Sequence, residues 1–112
     1  MASRVFVVVS SGDKEVLKWP GLRYPLNAIK LGWMDEVKVI LFGPAEELAV
    51  RDAEVQEKLK GLQEVGIEVM ACKVCADDWN ISDKLEELGV KVVPVGSIMS
   101  QLLKDGWASL TF

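Results

Sequence analysis

The stretch Val5-Phe6-Val7-Val8-Val9 is apolar at every position. An unbroken run of β-branched and aromatic residues is typical of a central parallel strand that is covered on both faces. Further strands are predicted from similar apolar runs at residues 37–42, 67–71 and 90–93, each bounded by Gly, Ser or Asp. Residues 107–112 alternate with the strand period, which predicts a last strand at a sheet edge or at an oligomer interface.

The segments between these runs have helical periodicity. Residues 55–65 repeat apolar side chains at helical spacing and end at Gly66, and residues 81–88 end in the same way at Gly89. Ser97 is expected to cap a short helix before the last strand. Residues 22–33 share a helical face, but Pro20 and Pro25 predict two pieces rather than one helix. Strands that alternate with helices predict a three-layer α/β/α domain with a mostly parallel sheet of about five strands.

Length and charge limit the function. A chain of 112 residues predicts a single domain, residues 1–112. A net charge of −4 argues against binding to nucleic acid or to an acidic membrane surface. The longest early apolar run is too short to span a bilayer, so we expect a cytoplasmic protein with reduced thiols.

The composition excludes several kinds of chemistry. The chain contains no His, which removes Ser-His-Asp, Cys-His and His-zinc sites. Two cysteines cannot supply the four ligands of a closed structural zinc site, so we expect no metal centre. Neither a Gly-x-Gly-x-x-Gly nor a Walker-type motif occurs, and no cofactor is expected.

Candidate site residues follow the predicted strands, because ligands bind at the carboxyl ends of strands in open α/β sheets. Only the third such segment carries a nucleophile that can react without histidine. Cys72 ends the third strand, and Cys75 lies near the start of the following helix. The cationic Lys73 is expected to favour the thiolate electrostatically. The competing interpretation is that Cys72 is a small core residue, since free Cys is among the most buried residue types.

Two other strand ends offer small polar residues that are possible anion or substrate loops. They are Ser10, Ser11 and Gly12 after the first strand, and Gly96 and Ser97 after the fourth. The simpler interpretation of the first loop is a turn with Asp13 as a helix N-cap. Acidic pairs such as Glu46-Glu47 are predicted to lie on solvated helix faces. The four tryptophans are interpreted as core or interface anchors; they are Trp19, Trp33, Trp79 and Trp107.

The order of several short motifs resembles the DsrE/DsrF-like family of small sulfur-relay proteins, which includes the TusD-type subunits. The resemblance is carried by Gly66-Ile67-Glu68-Val69-Met70-Ala71-Cys72, Asn80-Ile81, residues 85–88, Gly89-Val90-Lys91-Val92-Val93-Pro94-Val95-Gly96 and Leu102-Leu103-Lys104-Asp105-Gly106-Trp107, with looser agreement at Gly21-Leu22-Arg23, Asn27-Ala28 and Gly43-Pro44-Ala45. It implies a flavodoxin-like subunit that assembles as a homotrimer or a hexamer. It also implies that Cys72 carries sulfur as a persulfide between donor and acceptor proteins.

Three hypotheses therefore stand. The first is persulfide transfer on Cys72, with Cys75 as a possible resolving thiol. The second is a non-enzymatic oligomeric binding or scaffold subunit whose cysteines are structural. The high apolar content of the chain, 50%, favours this role because buried interfaces are rich in apolar residues at their cores. The third is a dithiol redox function of the Cys72/Cys75 pair.

Overall fold

A computed structural model describes residues 2–112, so Met1, the first residue of the predicted 1–112 domain, lies outside the described residues. Its centre is a five-stranded sheet in the order β4-β3-β2-β1-β5. All four strand pairings are parallel, which confirms and sharpens the expected mostly parallel sheet. The strands are β1 (Arg4–Val9), β2 (Glu36–Leu41), β3 (Glu68–Cys72), β4 (Lys91–Val93) and β5 (Ala108–Thr111).

The all-apolar stretch takes the interior place that its composition predicts. β1 lies between β2 and β5, and Val5 to Val9 are buried. Among residues 2–112, β5 pairs with β1 alone and is exposed along its whole length, which confirms the expected edge strand. β3 begins at Glu68, one residue after the predicted apolar run begins, and Cys72 is its last residue, as predicted.

Helices connect the strands in chain order. A continuous helical segment from residue 14 to residue 30 comprises α1 (Lys14–Val16), a π-helical turn (Leu17–Gly21) and α2 (Leu22–Lys30). The others are α3 (Pro44–Arg51), α4 (Ala53–Glu64), α5 (Lys73–Asp78), α6 (Ser82–Glu87) and α7 (Val95–Lys104).

The expected break at the two prolines is wrong. Pro20 lies inside the π-helical turn, where the Leu22 N–H donates to the Leu17 carbonyl five residues back. A π turn carries one extra residue, and this wider turn accommodates the proline ring without ending the helix. Pro25 lies inside α2, which continues to Lys30.

Helix termini confirm one predicted cap and correct another. Asp13 Oδ1 accepts hydrogen bonds from the Glu15 and Val16 N–H groups, as an N-cap should. Ser97 does not cap α7, because that helix begins two residues earlier, at Val95. The Ser97 hydroxyl instead donates to the Pro94 carbonyl at 3.1 Å.

Apolar side chains cover both faces of the sheet, which completes the three-layer arrangement. Val5, Val7 and Val9 of β1 point into a core shared with α2, α3, α4 and α6. Phe6 and Val8 point to the opposite face, where α7 and a buried Trp107 cover them. Trp107 is thus a core residue, whereas Trp19, Trp33 and Trp79 are exposed.

Within residues 2–112, no helix is both long and apolar enough to cross a membrane.

Candidate functional site

The two cysteines lie at the carboxyl edge of the sheet. Cys72 is the last residue of β3, with extended backbone, and the chain turns directly into α5 after it. Cys75 follows one helical turn later in α5. Cys72 is buried, with 7% of its surface exposed, and Cys75 is partly buried. Cys72 is the cap residue of α5 and Cys75 is the third residue of that helix, and their sulfur atoms lie within 4.8 Å of each other.

A carboxyl group joins the two thiols from the neighbouring strand. β2 pairs with β3, so the loop after β2 lies beside the end of β3. In that loop Gly43 has a positive φ of 70°, after which Pro44 starts α3 and turns Glu46 inward. The ligand atoms of Glu46, Cys72 and Cys75 all lie within 4.8 Å of one another. The three residues form one compact group, called here the thiol–carboxyl cluster.

Glu46 is fully buried and only half satisfied. Its Oε2 accepts a hydrogen bond from the Gly43 N–H at 2.9 Å. Within the described part of the chain, its Oε1 has no hydrogen-bond partner. A buried polar atom without a partner costs free energy, of the order of 1–3 kcal/mol in typical cases. Such an atom beside two thiols indicates a functional rather than a stabilising role.

Burial dominates the electrostatics of the cluster. It raises the pKa of Glu46 to about 7, against the smaller opposing effects of the Gly43 N–H and the Cys75 thiol. Burial, with a contribution from hydrogen bonding to Cys72, raises the pKa of Cys75 to about 11. At neutral pH the Cys75 thiol therefore keeps its proton, whereas the Glu46 carboxyl can both bind and release a proton. In a chain without His, this carboxyl supplies a group that titrates near neutrality.

Lys73, predicted to favour a thiolate, is engaged elsewhere. Its ammonium lies 3.1 Å from a carboxylate oxygen of Asp77, and both side chains are more than half exposed. Asp77 also accepts a hydrogen bond from the Ser82 hydroxyl, and these two contacts hold the pKa of Asp77 below its usual value. The positive charge of Lys73 thus faces a carboxylate on the outer side of α5.

The loop after β1 lies next to the cluster but satisfies its own polar groups. The Ser10 N–H and hydroxyl both donate to the Phe112 carbonyl, and Ser11 Oγ accepts from the Asp13 N–H. Gly12 packs against the start of α3, since a Cβ placed on it would lie 3.1 Å from Pro44 Cβ.

The segment after β4 is likewise satisfied from within. Gly96 and Ser97 form part of the first turn of α7 rather than a loop. The Gly96 carbonyl accepts from the Ser100 hydroxyl, and Ser97 donates to the Pro94 carbonyl. Among the described residues, the hydroxyls of Ser10, Ser11 and Ser97 make no hydrogen bond to the cluster.

Glu46 is the residue that sequence reasoning missed, and its predicted place on a solvated helix face is wrong. The prediction holds for its neighbour Glu47, which is exposed and lies 3.5 Å from Arg51. One signal was present: Gly43-Pro44 marks a helix start, and a Glu at the third helical position can turn back to the cap N–H.

The cluster supplies three potential donor atoms. A closed structural zinc site takes four, and within residues 2–112 no further His, Cys, Asp or Glu joins the group. Two thiols at helical spacing and a buried carboxyl with a free oxygen are suited to nucleophilic thiol chemistry with proton transfer.

An all-parallel α/β domain with a thiol–carboxyl cluster at its strand ends is therefore a candidate thiol-chemistry protein. The chain belongs to the DsrE/DsrF-like family, whose sequence profile matches residues 3–112. The family resemblance seen in the sequence is thus confirmed. No curated protein matches the chain significantly.

Solved structures show the same fold. The conserved protein of unknown function BT1422 from Bacteroides thetaiotaomicron is similar with a TM-score of 0.92 and 24% identity, over 98% of this chain and 95% of that one. The ychN protein from E. coli has a TM-score of 0.76 and 20% identity, over 98% and 99%. MTH1491 from Methanobacterium thermoautotrophicum, also of unknown function, has a TM-score of 0.73 and 23% identity, over 98% and 99%.

Proposed function

We propose that this protein carries sulfur as a persulfide on Cys72. The observation that carries the proposal is the thiol–carboxyl cluster, which places Cys72 at the carboxyl edge of the sheet beside a second thiol and a buried carboxyl. That edge is where open α/β sheets bind their ligands. Membership of the DsrE/DsrF-like family is consistent with this role.

The loading step transfers the outer sulfur of a donor persulfide. The Cys72 thiolate attacks that sulfur, a Cys72 S–S bond forms, and the donor's inner S–S bond breaks to leave the donor as a thiolate. Sulfane sulfur changes carriers and no external oxidant or reductant is consumed. Because Cys72 is only 7% exposed, the bound persulfide would be largely shielded from bulk solvent.

Cys75 and Lys73 have unequal supporting roles in this proposal. The Cys75 thiol keeps its proton at neutral pH, so it can donate a hydrogen bond to the sulfur of Cys72. The ammonium of Lys73 is paired with Asp77, and any electrostatic help that it gives to Cys72 is screened. We therefore assign the supporting role mainly to Cys75.

The proposal includes assembly as a homotrimer, with a hexamer as the other arrangement. The exposed edge strand β5 supports it, since unpaired strand edges are usually covered. Leu103 on α7 and Leu110 on β5 add exposed apolar surface. Multi-angle light scattering that found only monomer at micromolar concentration would contradict this part of the proposal.

Intact-mass spectrometry after incubation with a small-molecule persulfide donor tests the function. Cys75→Ser should gain the mass of one sulfur atom, which a thiol reductant removes, and wild type should show the same gain at early times. Cys72→Ser should gain none. Loading on Cys75 alone, or no loading on Cys75→Ser, would contradict the proposal.

The low exposure of Cys72 specifically favours a second candidate, a scaffold subunit with structural cysteines. Slow alkylation of both thiols until the protein is denatured, together with absent loading, would support it.

The close spacing of the two thiols favours a third candidate, a dithiol redox protein. Reversible formation of a Cys72–Cys75 disulfide without persulfide loading would support that one.

A further inference from the structure

We propose that Glu46 is the proton-transfer residue through which Cys75 discharges a persulfide on Cys72 as hydrosulfide. This inference rests on the proposed function and adds a fate for the bound sulfur that sulfur relay does not require. It stands on the geometry of the thiol–carboxyl cluster: a buried carboxyl whose Oε1 lacks a hydrogen-bond partner, beside the thiol that would attack.

The discharge step balances without an outside reactant. A Cys72 persulfide in its anionic form, Cys72–S–S⁻, reacts with Cys75–SH to give the Cys72–Cys75 disulfide and HS⁻. The Cys75 sulfur forms a bond with the inner sulfur, and the bond between inner and outer sulfur breaks. The outer sulfur is reduced to hydrosulfide while the two cysteine sulfurs are oxidised to a disulfide. The proton must travel from Cys75 to the departing sulfur.

Glu46 is placed to carry that proton. The thiol of Cys75 is a weak acid in this environment, because burial raises its pKa to about 11, and it needs a base while it attacks. Oε2 of Glu46 accepts the Gly43 N–H, which orients the carboxyl, while Oε1 is left without a partner among residues 2–112, and a carboxylate oxygen lies within 4.8 Å of both sulfur atoms. The carboxyl can take the Cys75 proton as the new bond forms and then give it to the leaving sulfur.

The surroundings of Glu46 bring no competing base. α3 packs against α4, α5 and α6. Of the titratable groups on these elements and on the end of β3, Cys75 on α5 influences the pKa of Glu46, and Cys72 lies in the same cluster. Among residues 2–112, no Asp and no Glu other than Glu46 shares the cluster. Glu46 is therefore the one carboxyl of the cluster that can accept the Cys75 proton.

The discharge assay compares Glu46→Gln with Glu47→Gln in the full chain. Gln keeps an oxygen for the Gly43 N–H but cannot accept the thiol proton, whereas Glu47 is the exposed neighbour on the same helix. Each protein is persulfidated with inorganic polysulfide and freed of excess donor. Hydrosulfide release and disulfide formation are then followed by a sulfide electrode and by intact mass. Circular dichroism checks that each variant is folded.

We expect loading on Cys72 in all three proteins and a release rate lowered about 100-fold in Glu46→Gln at neutral pH, the size of a typical general acid–base contribution. Glu47→Gln should match wild type. The wild-type rate should rise with pH through about 7, where Glu46 becomes able to accept a proton, and Glu46→Gln should lack this inflection. A merely structural role would lower the rate without removing the inflection.

The two proposals fail in different ways. A loaded wild type that forms no disulfide, or a Glu46→Gln variant that releases hydrosulfide at the wild-type rate with the same pH profile, would overturn the inference and leave persulfide carriage standing. Absence of loading on Cys75→Ser, which has no second thiol to discharge the persulfide, would overturn the proposed function. Disulfide closure driven by the thiol oxidant diamide would then test Glu46 alone: slower closure in Glu46→Gln supports its proton-transfer role, and equal closure overturns it.

Discussion

The loop after β1 and the thiol–carboxyl cluster lie side by side at one edge of the sheet but differ in how their polar atoms are satisfied. In the β1 loop, Ser10, Ser11 and Asp13 hydrogen-bond to nearby backbone groups. In the cluster, Glu46 Oε1 is buried and unpartnered. A loop whose polar atoms satisfy one another has little left to offer a substrate. Unsatisfied buried groups indicate where a fold gives up stability for chemistry.

The largest expected effect that tests this comparison is the pH dependence of stability that Glu46 causes. The folded protein holds the Glu46 proton up to about pH 7, whereas the unfolded carboxyl releases it near its ordinary pKa of 4.5. Between these values the folded state binds more protons, so the free energy of unfolding falls as pH rises. The cost, on the order of 3 kcal/mol, is absent below pH 4.5 and fully present above about pH 7.

Urea unfolding at about pH 5 and about pH 8 measures this term. Glu46→Gln removes the titrating group, so its stability relative to wild type should improve by on the order of 3 kcal/mol between the two conditions. Glu47→Gln should track wild type, because that carboxyl is exposed beside Arg51. Parallel pH profiles for wild type and Glu46→Gln would contradict a buried, titrating carboxyl.

The second prediction concerns the backbone that aims Glu46. Gly43 has φ 70° and ψ −131°, a conformation that essentially only Gly adopts without strain. Gly43→Ala should lower the free energy of unfolding by about 2 kcal/mol although nothing lies within 4 Å of the added Cβ. Gly61→Ala is the matched control, since Gly61 lies inside α4 with open space around it and should gain about 0.5–1 kcal/mol. Equal effects of the two substitutions would argue against strain at Gly43.

Much of this fold follows from local patterns in the sequence. Strands alternate with helices along the chain, and the run that forms β1 is apolar throughout. The position of Cys72 at a strand end follows from a run of high β propensity that is bounded by a helix start. The π-helical turn was not predictable in this way. A proline normally breaks the hydrogen-bond ladder, and only an extra residue in the turn, a feature of the folded backbone, lets Pro20 stay inside it.

The residues of the candidate site likewise differ in how far the sequence predicts them. Cys72 and Cys75 are close in sequence, and a strand end followed directly by a helix start, both visible in the sequence, places them together. Glu46 joins them only because β2 lies next to β3, a tertiary fact that the chain order does not state. Glu46 and Glu47 are chemically identical neighbours, and which of them turns inward is decided by the Gly43 turn and the packing of α3. Lys73 shows the reverse case. Its position next to Cys72 in the sequence predicted that its ammonium would stabilise a thiolate, but the ammonium forms an ion pair with Asp77 one helical turn away.

The third prediction probes the satisfied loop after β1. Asp13→Ala removes the acceptor of two N–H groups at the start of α1 and should cost about 1 kcal/mol of unfolding free energy. Asp13→Asn keeps a side-chain oxygen at the cap and should remain close to wild type. Chemical denaturation at neutral pH separates the two. Equal destabilisation by Ala and Asn would mean that charge rather than capping matters there.

The smallest expected effect comes from Ser11. Its Oγ accepts only the exposed Asp13 N–H, which water can satisfy instead, so Ser11→Ala should change the free energy of unfolding by less than about 0.5 kcal/mol. Persulfide loading on Cys72 should match wild type, because among residues 2–112 the Ser11 hydroxyl makes no hydrogen bond to the cluster. Intact mass after donor treatment measures loading. A clear loss of loading in Ser11→Ala would erase the contrast between the two regions, since it would mean that the β1 loop contributes to sulfur transfer although its polar atoms are already paired.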